Sequence, residues 1–206
     1  MPDVKSLLTR ERLTAAHHLA YSWVLDRLGY DKKSVLDFGS RYSLLPTLLA
    51  MSGHDVTATD RDPGVTAWQA GHARAWGVKF PAHCWHPGSE DQLTLPKFDA
   101  ITACWAIQHN EPETQGWLAH YLGRLLKPGG SLLIVGAFKF GESVYEEHRA
   151  DPLWRLSGDG HAQHVIEPSG LQLKVFSHFY YVHATQEGEF CSPKLANSVA
   201  YELVKP

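Results

Sequence analysis

The chain has 206 residues, 44% of them hydrophobic and 20% charged, which suits one globular domain able to bury a substantial core. A formal net charge of −3 gives no electrostatic ground for a nucleic-acid or anionic-membrane partner. No apolar run approaches the ~18 residues needed to cross a bilayer, and the opening MPDVKSLLTRERL has no unbroken apolar signal core, so the expectation is a cytoplasmic protein.

From Ser6 to Leu28 apolar residues recur every three or four positions, predicting a helix that Gly29 stops. SVLDF is a short apolar strand running into Asp37 and Gly39; Leu44 to Met51 is helical, and DVTAT is a β-branched strand closed by Asp60. A helix through Pro63 to Trp76, a strand about Val78 to Cys84, a polar loop HPGSEDQLTLP and the strand FDAITACW follow. NEPETQGWLAHYLGRLLKPGG predicts a helix with acids in its first turn and Gly129–Gly130 as its stop, and SLLIVGAF a fully apolar strand. Strands alternating with helices imply right-handed crossovers and a largely parallel, doubly wound α/β sheet covered on both faces.

After Phe140 the chain is polar and broken by Pro152, Gly158 and Gly160, which predicts a loop with a helix only in its second half. LQLKVFSHFYYVHA and NSVAYELVKP are two terminal strands joined by a turn-rich link, hence an antiparallel pair. With no repeat or linker, the expected organisation is one domain over 1–206. Its parts are a helical cover at 1–30, a core at 33–136, a second cover at 137–170 and the strand pair at 171–206.

Three cysteines, Cys84, Cys104 and Cys191, are odd in number and without a CxxC pair, which argues against a disulfide framework or zinc knuckle. Among thirteen histidines, HCWH (His83 to His86) and HAQH (His161 to His164) come closest to ligand spacing. Neither has an acidic or Cys partner at a fixed offset, so no metal site is expected.

In an open parallel sheet the ligand lies beyond the carboxyl ends of the strands, where strand order reverses. Those ends carry Asp37, Gly39, Ser40 and Arg41; Asp60 and Arg61; Glu90, Asp91 and Gln92; and Cys104, Trp105, Gln108 and His109. Asp60, about twenty residues after the glycine turn, is placed to accept hydrogen bonds from two ribose hydroxyls. Asp37, just before that turn, suits a ligand bearing a positive amine or sulfonium better than a dinucleotide pyrophosphate. Each residue also has an ordinary role: Asp37 and Asp60 as turn or helix caps, Asp91 as a solvated loop acid, Trp105 as core and His109 as a polar helix start.

VLDFGS with Asp60, the loop ending in LPKFDAI, LLKPGGSLLIV and the late RLSGDGHAQHVIEPSGLQL together resemble the small class I S-adenosylmethionine-dependent methyltransferases, over roughly residues 33 to 205. The resemblance implies a Rossmann-like seven-stranded sheet with an antiparallel last strand, and S-adenosyl-L-methionine as cofactor. By position, Asp37 and Gly39, with Ser40 and Arg41 after them, match the turn under the methionine and ribose, and Asp60 with Arg61 the ribose-binding strand end. Asp91 matches the adenine-binding acid with Gln92 beside it, and Cys104 and Trp105 the strand end that lines the methionine moiety.

The departure is the turn itself, Asp-Phe-Gly-Ser-Arg-Tyr-Ser, which keeps only the first glycine of the family's Asp-x-Gly-x-Gly-x-Gly. Arg41 is tolerable there if φ stays negative and its side chain leaves the pocket, and it can salt-bridge the cofactor carboxylate. The function implied is methyl transfer to an oxygen or nitrogen of a small-molecule acceptor by in-line displacement, with His109 as candidate general base. Two other readings stand beside it. The lost glycines, and CWAIQHN in place of an acceptor motif, suit a catalytically silent methyltransferase-like subunit; a nicotinamide dehydrogenase conflicts with Asp37 and the incomplete glycine pattern. Oligomeric state is not readable from the sequence.

Overall fold

The computed structural model describes residues 15–89, 94–146, 153–183 and 194–206. Helix α1 (Ala15–Leu28) precedes strand β1 (Ser34–Phe38), helix α2 (Leu45–Met51), strand β2 (Asp55–Asp60), helix α3 (Pro63–Ala75), strand β3 (Ala82–Cys84) and strand β4 (Phe98–Cys104). A 3₁₀ turn at Ile107–His109 leads to helix α4 (Pro112–Arg124) and strand β5 (Leu126–Ala137). A small hairpin of β6 (Val144–Glu146) and β7 (Leu153–Arg155) is followed by α5 (Gly158–His161), a π-helical turn (Ala162–Ile166) and α6 (Glu167–Ser169). Strands β8 (Gln172–His183) and β9 (Lys194–Val204) complete the chain.

Seven strands form one sheet in the order β3-β2-β1-β4-β5-β9-β8, and only β9 runs against the others. The chain winds outward from β1 through β2 to β3, then returns to the far side of β1 as β4. The β1/β4 boundary is therefore the switch point at which a crevice opens.

Alternation along the strands divides the core in two. Val35, Ala100, Leu133, Val135 and Ala200 meet Ala20, Val24 and Leu28 of α1 and Leu45, Leu48 and Leu49 of α2. Leu36, Ile101, Ala103, Leu132, Ile134, Val199, Tyr201 and Leu203 meet Leu118, Ala119 and Leu122 of α4 and Val165 of the π-turn. Leu36, Leu48 and Ile101 are fully buried, each adding about 1.5–3 kcal/mol of transfer free energy. Glu202, buried on β9, accepts Arg27 Nε and Nη2 at 2.9 and 2.7 Å, Ser131 Oγ at 2.9 Å and Lys174 Nζ at 3.3 Å. That network fixes α1 to the sheet.

Several expected boundaries move. The helix predicted from Asn110 runs from Pro112 and ends at Arg124, not at Gly129, because Leu126 already pairs with Phe98 and Lys205 N–H donates to Gly130 O at 2.9 Å. The strand expected from Val78 starts only at Ala82, where pairing with Ala58 begins. The 137–170 cover has its helical second half but also the β6–β7 hairpin, which the polar sequence hid. The first helix is observed from Ala15; its predicted start at Ser6 lies outside the described residues. No helix among the described residues is long and apolar enough to cross a membrane.

Candidate active site

A cavity of about 700 Å³ opens over the carboxyl ends of β1 to β4. Each wall is set by how its strand ends. At β1, Phe38 and Gly39 reach the cavity and the following turn adds Arg41 and Tyr42. Gly39 has φ +67°, and a methyl group on it would lie 2.6 Å from Ala106 Cβ, so the turn and the loop after β4 touch only because this residue is glycine. Arg41 (φ 43°) and Trp105 (φ 52°) are the only non-glycine residues with positive φ among those described, and both line the cavity, so Arg41 neither keeps the expected negative φ nor leaves the pocket. Strain of this kind persists where surrounding structure over-determines it.

At β2, Asp60 is 7% exposed and faces the cavity. Its Oδ2 accepts Arg41 N–H at 2.8 Å and its Oδ1 accepts Asp62 N–H at 3.0 Å. Asp62 in turn caps α3 by accepting Gly64 N–H at 2.7 Å. Arg61 lies on the same wall. At β3, Trp85 N–H donates to Asp60 O at 2.9 Å, and the indole packs edge-on to Phe38 at 6.3 Å. Beyond β4, Trp105 N–H donates to Val135 O at 2.7 Å and its Nε1 to Ser198 Oγ at 3.3 Å, holding the strained residue in place. His109 and Asn110 from the 3₁₀ turn and Thr114, Trp117 and Leu118 from α4 close the far side.

Three expected contacts do not line the cavity. Strand parity turns Asp37 toward α1, in the opposite sense to Phe38; it is 2% exposed and accepts Thr102 Oγ1–H at 2.6 Å. Burial pushes its carboxyl up to about 6, aided by the Asp60 charge against the pull of the Thr102 and Ser40 hydroxyls. Ser40 is buried and turns its hydroxyl back to Asp37 O at 3.0 Å. Cys104 packs against the α1 side of the core, where burial beside Asp37 pushes its thiol well up, so it is no thiolate nucleophile at neutral pH. Asp91 and Gln92 lie outside the described residues. Among the described residues no group of three or more His, Cys, Asp or Glu converges to hold a metal.

Residues 36–134 match the family described as methyltransferase domain. The fold is that of a solved SAM-dependent methyltransferase from Methanosarcina mazei, at 13% identity and a TM-score of 0.71 over 88% of this chain and 96% of that one. Over residues 36–134 the chain carries a methyltransferase domain. This methyltransferase is also similar to the Burkholderia thailandensis 1,6-didemethyltoxoflavin-N1-methyltransferase, solved with its substrate and S-adenosylhomocysteine. There the identity is 20% and the TM-score 0.72, over 98% of this chain and 81% of that one. The Synechocystis magnesium protoporphyrin IX methyltransferase with bound SAM follows at 14% identity and TM-score 0.65, over 92% and 78% of the two chains. Comparison with curated proteins finds no match.

Sequence reasoning missed Tyr42, Trp85, Asn110, Thr114 and Trp117 in the cavity. Trp117 and Tyr121 carried a legible signal: large aromatics at i and i+4 on α4, beside the Leu118/Leu122 stripe, mark a second apolar face. Their rings, 5.6 Å apart, continue to Trp85 at 5.9 Å and form an aromatic side to the cavity.

Proposed function

We propose that this methyltransferase binds S-adenosylmethionine over the carboxyl ends of β1 to β4 and transfers its methyl group, by in-line displacement, to an oxygen or nitrogen of a small-molecule acceptor. One observation carries the reading. A partly committed carboxylate on the cavity wall, Asp60, sits in front of a buried carboxylate, Asp37, that has no ion-pair partner among the described residues. That pair fits a ligand with a dihydroxy sugar and a positive centre.

Each Asp60 oxygen accepts one backbone amide and keeps lone-pair capacity for a sugar hydroxyl. Asp37, whose carboxyl burial pushes up to about 6, in its carboxylate form lowers the potential behind Gly39 and complements a cation there. Arg61 flanks Asp60 and, with Arg41, gives the wall positive charge for a ligand carboxylate. The Phe38, Trp85 and Trp117 side offers flat apolar surface to a purine ring, and we assign Asp91 and Gln92 to its edge. Bound S-adenosylmethionine supplies a methyl group on a positively charged sulfur. Trp105 and Ala106 shape the wall where the acceptor must align and shed water. His109, on the same wall, removes the proton of a hydroxyl or ammonium acceptor; a carboxylate acceptor needs no base.

Calorimetric titration with S-adenosylmethionine and S-adenosylhomocysteine tests the reading. Micromolar binding to the wild type that is lost in Asp60→Ala and weakened in Asp37→Ala is the expected result. A folded wild type that binds neither compound overturns it.

A further inference from the structure

The turn after β1 keeps Gly39 alone of the family's glycines yet holds a second position in a shape that glycine favours. Arg41 stands at φ 43°, where every side chain other than glycine's is strained. Beside Ser40 N–H donating to Thr59 O at 3.0 Å and the Tyr21–Ser43 hydroxyl contact at 2.8 Å, three hydrogen bonds from outside the turn hold the backbone of Arg41 and Ser43. One is Asp60 Oδ2 accepting Arg41 N–H. The other two come from a single side chain on the middle of α3: Gln69 Nε2 donates to Arg41 O at 2.7 Å and to Ser43 O at 2.9 Å, bracketing Tyr42.

Gln69 is 1% exposed and does not line the cavity. Among the described residues its Oε1 has no hydrogen-bond partner, although a buried amide oxygen without one is costly. Reversing the amide would point that oxygen at two carbonyl oxygens, so the donor assignment follows from the geometry. The fold thus tolerates an orphan acceptor to keep both donors on the turn.

We propose that Gln69 is a positioning residue of the cofactor site. By clamping the carbonyls of Arg41 and Ser43 it holds the glycine-poor turn in the one shape that sets Arg41 and Tyr42 on the cavity wall. The affinity effect rests on the S-adenosylmethionine reading above; the effect on the turn does not.

The test is a cycle of Gln69→Met, which keeps the volume and removes both donors, in the wild-type and Arg41→Gly backgrounds. S-adenosylhomocysteine affinity is read by calorimetry, and amide hydrogen exchange is read on the cofactor-free proteins. Gln69→Met is expected to weaken binding about tenfold with Arg41 present and less than about threefold with glycine there, whatever Arg41→Gly does alone. In the wild-type background the amides of Arg41 and Ser43 should exchange at least about tenfold faster, while those of β4 and β5 stay protected. Equal losses in both backgrounds, or unchanged exchange at Arg41 and Ser43, would overturn the proposal. If the wild type binds no cofactor but Gln69→Met still speeds exchange at Arg41 and Ser43, the cofactor assignment falls and the clamp stands.

Discussion

Alanine at Gly39 probes the closest approach in the site. The added methyl group would lie 2.6 Å from Ala106 Cβ, whereas carbon pairs prefer about 3.5–4.0 Å. Two costs add. A side chain in the left-handed region costs about 1–2 kcal/mol, and shifting the Ala106 loop by ~1 Å in a packed setting costs about 1–3 kcal/mol. The sum is roughly 2–5 kcal/mol, or a fall in Tm of roughly 4–20 °C for a chain of this size. Gly77 supplies the control, since at φ +72° no atom lies within 4 Å of an added methyl group. Gly77→Ala should therefore lose only the backbone portion, about 1–2 kcal/mol. Urea denaturation followed by tryptophan fluorescence measures both, and Gly39→Ala combined with Ala106→Gly should recover to the Gly77→Ala level. Gly39→Ala losing no more than Gly77→Ala, or no recovery on shortening Ala106, would refute the reasoning.

Two buried groups should tilt stability in opposite directions between pH about 4 and 6.5. Burial raises Asp37 from 3.8 to about 6, so its contribution is full at low pH and lost as pH rises through 6. Asp37→Asn should gain on wild type across that range, by up to roughly 3 kcal/mol. Burial lowers His161 from 6.5 to about 4, against the pull of Ala137 O, so its contribution is full above 6.5 and lost as pH falls through 4. His161→Gln should therefore gain on wild type as pH falls; urea midpoints at four pH values check both signs, and a shared sign contradicts the assignments. Asp60→Ala removes charge-assisted bonds worth about 1.5–3 kcal/mol each, so S-adenosylhomocysteine affinity should fall at least ~100-fold by calorimetry; a loss under tenfold removes Asp60 from the site. Arg27→Met leaves the buried Glu202 with Ser131 and Lys174 alone and should cost about 1–3 kcal/mol in urea at pH 7; an unchanged midpoint would mean that the pair does not anchor α1.

What the sequence made legible was local or fixed by spacing. Asp60 follows Gly39 by one helix and one strand, so the two were bound to meet at adjacent strand ends, and they do. Strand alternation would also have turned Asp37 and Cys104 away from the cavity, because Phe38 and Asp37 cannot share a face. What was not legible depended on distant partners. The KPGG segment extends β5 because Lys205 forms a ladder with Gly130 and Gly129, some 75 residues earlier in the chain. Gln69 carries no local sign that its amide reaches back to Arg41 and Ser43, and the β6–β7 pairing has no hydrophobic alternation to announce it.

The placement of β9 bears on how the molecule is made. It follows β8 in sequence yet lies between β5 and β8, so β8 has no partner in the sheet until β9 is inserted. Val199, Tyr201 and Leu203, all on β9, fill one of the two cores. Until the ribosome has released that strand, the edge of β5 and the apolar row it should meet stand open to any other strand. Seating it completes the sheet, and through Ser198 it gives the Trp105 indole its hydrogen-bond acceptor, so the latest of this sheet's strands in chain order also braces the strained wall of the cavity.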